Sequence, residues 1–251
     1  MSGKAYLSPA KFKIFAHRGT TELGAVENTV KAFQDAISSG ADYLETDVQA
    51  TKDGKVIIFH DETLTRLLGV NRKVSDLTLA EIQNLAYDRG IELPRLEDVL
   101  LKFPTARLNI DIKSQNAVSE TVKAILKLSA TGRVLVSSFS SKRRQEAIAQ
   151  LPGVATSGDS KRVIVLMLGM ALRSRSLIDW SLADLDALQI PTHFGFIRLN
   201  TSTIIDACHL RGVEVHYWTV NDPAEAKQLK RLGADGIVTD RCKLMVSELA
   251  E

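Results

Sequence analysis

Short β-branched runs alternate with helical patterns along nearly the whole chain, and this alternation constrains the fold more than any other feature. Strands are predicted at Phe12–Ala16, Tyr43–Gln49, Arg107–Ile112, Val134–Ser138, Val154–Ser157, Ala187–Ile190, Val213–Trp218 and Gly236–Thr239. Helical patterns fall between them at Thr29–Ser39, Leu96–Leu101, Ala117–Ser129, Lys142–Ala149, Lys161–Arg173, Leu182–Leu185, Thr201–Leu210 and Ala224–Leu232, and Leu244–Ala250 closes the chain. Alternating β and α units imply a parallel sheet. Eight of them in 251 residues predict an α/β chain folded as a single (β/α)₈ TIM barrel spanning residues 1–251. Two places fit poorly. The fifth strand is weak, and 56–92 breaks the alternation with a short strand, Val56–Phe59, polar turns and a helical stretch, Leu79–Leu85. That segment reads as a small insertion after the second strand.

Parity along the strands separates inside from outside. Barrel strands are covered on both faces and should be nearly continuous apolar runs. In 43–49, Leu44 and Val48 share one face while Glu45 and Asp47 share the other. In 107–113, Leu108, Ile110 and Ile112 oppose Arg107, Asn109, Asp111 and Lys113. The outer helices require the apolar face, so the acids point inward, near the carboxyl ends where barrel enzymes place their sites. Three inward carboxylates repel one another and resist desolvation unless a cation neutralises them. Hard oxygen donors suit Mg²⁺ or Ca²⁺. The alternative is a buried network in which Arg18 and Lys113 pair with the same acids.

His17 ends the first strand and His60 ends the short strand of the irregular segment. Histidine titrates near neutral pH, so one ring can take a proton while another gives one. Arg18 and Lys113 suit phosphate oxygens. His193, after the sixth strand, is placed to reach the pocket rim, whereas His209 and His216 read as structural.

Charge is nearly balanced at +2, which supplies no field for nucleic acid. Cys208 and Cys242 are too few for a disulfide framework and read as reduced thiols. Met1 to Lys13 lacks a signal-peptide pattern, so a cytoplasmic location is expected. The longest apolar run, Val163–Leu172, is shorter than the roughly 20 residues that span a bilayer. Its basic flanks, Lys161-Arg162 and Arg173–Arg175, are compatible with membrane contact, but a barrel helix or a subunit contact is the expected use.

Together these pieces resemble the glycerophosphodiester phosphodiesterase family. The resemblance runs in order through His17-Arg-Gly19, Glu27-Asn-Thr29, Glu45-Thr-Asp47, Thr51-Lys-Asp-Gly54, His60-Asp61, Pro94-Arg-Leu-Glu97, Ile110-Asp-Ile-Lys113, Ser137-Ser-Phe139, Trp218-Thr-Val-Asn221, Gly233-Ala-Asp-Gly236 and Thr239-Asp240. It implies a barrel with an insertion after the second strand. It implies a divalent cation, Mg²⁺ or Ca²⁺, held by Glu45, Asp47 and Asp111. His17 and His60 would be the acid–base pair, Arg18, Glu27 and Lys113 would stand at the phosphate, and Trp218 would line the site. The reaction implied is cleavage of a small glycerophosphodiester to sn-glycerol 3-phosphate and an alcohol, without nucleic acid or stable membrane insertion and with a homo-oligomer possible. Alternatives are a lysophospholipase D-like enzyme on lipids and a non-catalytic phosphate-binding barrel. The chain departs from the family pattern at Asp111, where Glu is usual, at Thr46, where Leu is common and little effect is expected, and in lacking a Pro near Thr239-Asp240.

Overall fold

The computed structural model describes residues 4–9 and 11–249. Eight parallel strands form the barrel: β1 (Lys13–His17), β2 (Tyr43–Ala50), β3 (Arg107–Ile112), β4 (Val134–Ser137), β5 (Ala155–Thr156), β6 (Ala187–Pro191), β7 (Glu214–Trp218) and β8 (Gly236–Thr239). They lie in the order β5-β4-β3-β2-β1-β8-β7-β6. One parallel bridge, Ser157–Ala187, joins the two ends of the sheet, so the barrel is nearly closed.

The surrounding helices are α1 (Val30–Ser38), α2 (Leu96–Lys102), α3 (Val118–Lys127), α4 (Ser141–Ala149), α5 (Ser160–Ala171), α6 (Arg175–Leu182), α7 (Ser202–His209), α8 (Pro223–Leu232) and α9 (Cys242–Leu249). Ala250, the last residue predicted for the final helix, lies outside the described residues. The helix expected at Leu182–Leu185 does not form. Leu182 ends α6, and Asp184 turns the chain at φ 58° before β6. The buried leucines there give an apolar spacing that mimics a helix. Between β5 and β6 the barrel carries two helices, α5 and α6, as the two helical patterns there predicted, but the second lies at Arg175–Leu182, ahead of its expected place.

Strand parity divides the core as expected. Ile14, Leu44, Val48, Ile110, Val136, Leu188, Val215 and Ile237 pack outward with the helices in one large cluster. Phe15, Tyr43, Leu135, Ala187 and Val238 face inward in a second cluster with Tyr6 and Leu7, which precede β1. The Tyr43 hydroxyl donates to the Tyr6 carbonyl at 2.7 Å, so Tyr6 and Leu7 plug the barrel floor. Above the plug runs a polar ladder: Lys13 to Glu214 at 2.9 Å, Glu214 to His216 at 3.0 Å, His216 to Gln189 at 3.4 Å and Gln189 to Asn109 at 3.2 Å. His216 is therefore structural. His209, on α7, pairs with Asp235 at 2.8 Å.

The segment after β2 begins with the strand Val56–Ile58, antiparallel to β2, and carries the helices Thr65–Leu68 and Leu79–Tyr87. Its residues Ile57, Phe59, Leu64, Leu68, Ile82 and Leu93 form a separate apolar cluster. Burying each such leucine or isoleucine is worth about 1.5–3 kcal/mol. Thr78 and Glu81 cap the longer helix reciprocally. The segment is thus a rigid support for His60. Cys208 and Cys242 are buried and free.

Candidate active site

Residues at the carboxyl ends of the barrel strands, and the loops that follow them, build the site. After His17 the chain turns through Arg18 at φ 56° and Gly19 at φ 83°. A Cβ on Gly19 would lie 2.7 Å from the Ala32 backbone, so glycine lets this turn press against α1. The turn aims the Arg18 backbone N–H at Glu45 Oε2, 3.1 Å away. Asn28 N–H closes it on the Arg18 carbonyl at 2.8 Å. The Asn28 amide accepts from the Thr46 hydroxyl at 2.8 Å and donates to Asp47 at 3.4 Å. Thr46 faces outward as its parity requires, yet it helps to hold Asp47, a contribution that parity alone did not reveal.

The two histidines have matching supports. His17 Nδ1 lies 2.6 Å from Asp240 Oδ1, and Asn221 donates to the other Asp240 oxygen at 2.8 Å. His60 Nδ1 lies 2.6 Å from Asp61 Oδ1. A carboxylate only accepts, so in each ring Nδ1 carries the hydrogen and Nε2 is left for chemistry. Gln49, one step beyond Asp47 at the inward parity, donates to the carbonyls of His60 and Asp61 at 3.3 and 3.2 Å. Burial disfavours a charged His17 ring. The hydrogen bond that Nδ1 donates to Asp240 and the nearby Glu45 charge outweigh that, so its pKa is raised.

Beneath the histidines, the inward acids of β2 and β3 stand side by side, with Asp47 opposite Asp111. Lys113 Nζ reaches Asp111 at 2.6 Å and Asp47 at 3.0 Å, and Arg18 Nε lies 3.2 Å from Asp47. Desolvation, with the charge of Asp47 adding to it, pushes Glu45 up to about 7. Desolvation also raises Asp111, whereas Lys113 and Arg18 overcome burial and lower Asp47. Asp111 Oδ1 is buried without a hydrogen-bond partner. The two bases therefore leave this acid group undercompensated. That unmet acceptor and the all-oxygen donor chemistry fit a hard divalent cation. With the side chains as they stand, no three acids or histidines among the described residues gather around one ion position. Lys113 fills the space between Asp47 and Asp111.

His17, Arg18, Glu45, Asp47, His60, Asp111, Lys113 and Trp218 all line one cavity of about 540 Å³. Glu27 is not in its wall. It stands behind Arg18, accepting from Nη1 at 3.1 Å, and Arg66 holds it with two nitrogens at 2.6 and 3.1 Å. The same Arg66 donates from Nε to Asp61 at 2.6 Å, tying Glu27 to the support of His60. His193 does not line the cavity; it is exposed and contacts Thr192 at 3.2 Å. Asp240, Asn221 and Asn28 lie in the motif runs but were given no role from the sequence, and Arg66 was not singled out; the partners that give them a role, His17, Asp240, Thr46 and Glu27, lie 18 or more residues away in the chain. The same cavity also has apolar walls, supplied by Phe139, Val163, Ile164, Met167, Phe194 and Trp218.

Residues 17–244 match the sequence pattern of the Glycerophosphoryl diester phosphodiesterase family. The chain belongs to this family. A Mycobacterium tuberculosis protein named probable glycerophosphodiester phosphodiesterase 2 is 36% identical over 231 residues, covering 92% of this chain and 88% of that protein. The structure of a Thermotoga maritima glycerophosphodiester phosphodiesterase superposes with a TM-score of 0.74 at 26% identity, covering 94% of this chain and 97% of the other. An Oleispira antarctica phosphodiesterase, solved with the product sn-glycerol-3-phosphate, shares the fold with a TM-score of 0.73 at 22% identity, covering 95% and 97% of the two chains. No helix among the described residues is long and apolar enough to cross a membrane.

Proposed function

We propose that this chain hydrolyses glycerophosphodiesters to sn-glycerol 3-phosphate and an alcohol, with His17 and His60 as the acid–base pair. The observation that carries this reading is the paired support of the rings. Each gives Nδ1 to an aspartate 2.6 Å away while both line one cavity with Arg18 and Lys113. Family membership and the names of the relatives support the substrate class.

His17 is the general acid. Asp240 and Glu45 favour its charged form, so Nε2 holds a proton for the departing alkoxide as the P–O bond breaks. His60 Nε2 takes a proton from the attacking water as its oxygen bonds to phosphorus, and the alcohol departs with the proton from His17. Arg18 and Lys113 turn their charge toward non-bridging phosphate oxygens once substrate competes with Asp47 and Asp111 for them. Glu27, braced by Arg66, fixes the direction of the Arg18 guanidinium. Glu45, Asp47 and Asp111 would hold a divalent cation, Mg²⁺ or Ca²⁺, which when bound supplies positive charge against the phosphate. The aspartate at 111, one methylene shorter than the usual glutamate, leaves an unmet buried oxygen that suits this role.

The apolar walls of the cavity favour a second reading, a lysophospholipase D-like reaction in which the glycerol carries one acyl chain. Release of sn-glycerol 3-phosphate from glycerophosphocholine, glycerophosphoethanolamine and bis(glycero)phosphate tests the first reading, and lysolipid tests the second. Mg²⁺ and Ca²⁺ are supplied separately, with a chelated control. Turnover unaffected by exhaustive chelation removes the cation. No turnover on any of these substrates leaves a phosphate-binding barrel without catalysis.

A further inference from the structure

A barrel helix or a subunit contact is the expected use of the basic-flanked apolar run. The run forms a helix whose Leu166 joins the main core, with Val163, Met167 and Met170 packed against that core, while its outer face stays exposed. Only Leu166 and Gly169 of α5 are buried, and Gly169 packs so tightly on α6 that a Cβ there would lie 3.0 Å from Ile178. Because α6 leads down to the amino end of β6, its antiparallel partner α5 climbs away from the barrel on the catalytic side. Ile164, Leu168 and Leu172 lie four residues apart and form one stripe along it. They are 65%, 49% and 64% exposed. Ile164 lines the cavity, so the stripe runs outward from the mouth.

A second element meets it there. Between β6 and α7 the two-residue strands His193–Phe194 and Ile197–Arg198 pair around Gly195-Phe196. Phe196 at the tip is 106% exposed, and Phe194 and Ile197 line the mouth while 71% and 52% exposed. Half of the large apolar side chains exposed among the described residues fall within 164–197. An apolar area concentrated this way beside a cavity marks an interaction site.

Charge identifies the partner. Segment 160–198 carries five basic residues against three acids, in a chain that is nearly neutral overall. One of the acids, Asp186, is buried and paired with Lys4, and Asp179 is paired with Arg175 and Arg211. Lys161 and Arg162 sit over the half-exposed Trp180 ring at 5.5 and 4.4 Å. Arg173 and Arg175 flank the α5–α6 turn beyond Leu172, and Arg198 ends the small hairpin. Exposed aromatic and aliphatic side chains interleaved with basic ones match the boundary of an anionic bilayer, where apolar groups enter the acyl edge and cations meet headgroups.

We propose that the α5–α6 hairpin and the 193–198 hairpin dock this protein on anionic lipid surfaces, with the mouth of the cavity held against the lipid. The attachment is peripheral. It goes beyond the hydrolytic reading and stands or falls separately from it.

Co-sedimentation with vesicles of phosphatidylcholine alone, and of phosphatidylcholine mixed with phosphatidylglycerol, tests the proposal. The whole chain should bind the mixed vesicles and not the zwitterionic ones. Phe196→Asp and Leu172→Asp should each abolish binding, and Arg173→Gln with Arg175→Gln should weaken it by about tenfold or more. None of these four positions lines the cavity, so turnover on soluble glycerophosphocholine should match the parent chain and report correct folding. Absence of binding to the mixed vesicles overturns the proposal, as does binding unchanged in Phe196→Asp and Leu172→Asp. So does a vesicle-free dimer that Leu172→Asp converts to monomer, because the face would then belong to a second copy.

Discussion

Asp240 Oδ1 lies 2.6 Å from His17 Nδ1 and so determines which nitrogen of the ring is presented to the cavity. The two residues are supplied by neighbouring strands, β1 and β8, whose registers align Ala16 with Thr239. Asp240→Asn can donate to Nδ1 and favour the wrong tautomer, so kcat should fall by about 10²-fold or more. The loss of Asp240 also removes the main influence that raises the His17 pKa, and the high-pH limb of kcat/KM should move to lower pH. The linkage has a definite sign. A raised folded pKa gives stability that is fully present below the unfolded value and is lost as pH rises through the folded one. Chemical unfolding of the parent and Asp240→Asn at several pH values should therefore differ most on the acid side.

The two histidines should separate by leaving group. p-Nitrophenolate departs without a proton, whereas an alkoxide needs one. His17→Ala should lose about 10²–10⁴-fold on glycerophosphocholine and much less on a p-nitrophenyl phosphodiester, while His60→Ala should lose on both. Equal losses for the two variants on both substrates would sink the assignment of His17 as the acid.

Arg66 is half-exposed and comes from the inserted segment, yet it contacts the supports of both Arg18 and His60. Exposed ion pairs are worth only about 0–1 kcal/mol in stability. Arg66→Met should therefore unfold within a few degrees of the parent while kcat/KM falls about tenfold or more, an effect of positioning comparable to the loss of supporting groups elsewhere. Thermal melts and steady-state kinetics on one preparation check both halves.

Arg144 and Asp159 form a buried pair at 3.1 Å, each side chain only 1% exposed. Asp159 also caps α5. Removing one partner of such a pair costs about 3–5 kcal/mol, so Arg144→Met should lower the urea midpoint sharply. Burial opposes the charge on Asp159, but Ser141, Arg144 and the Arg162 backbone hold its pKa below the ordinary value. Its stabilisation is present above the unfolded pKa and lost as pH falls through the folded one.

The barrel was legible because burial imposes a period of two on its strands. Arg107–Ile112 and Gly236–Thr239 were predicted with the bounds they have, and Glu45, Asp47 and Asp111 were placed inward by parity. What escaped detection lacks a period. The strands of 193–198 have two residues each, too short to alternate, and Asp184 ends a helix by a single left-handed turn. Glu27 shows a different limit. The family resemblance placed it at the phosphate, but it stands behind Arg18, and Arg66, which holds it there, is 39 residues away in the chain. Sequence order does not encode that meeting.

The sheet ends meet between β5 and β6 through the single bridge Ser157–Ala187, whereas β2 and β3 share six aligned residue pairs. Amide hydrogens should consequently exchange fastest along that seam, and any breathing of the cylinder should begin there. The seam is also where α5 and α6 leave the barrel. A surface that grips those helices would have a mechanical handle on the weakest joint, and pulling on it would widen the entrance without disturbing the acids on the far side.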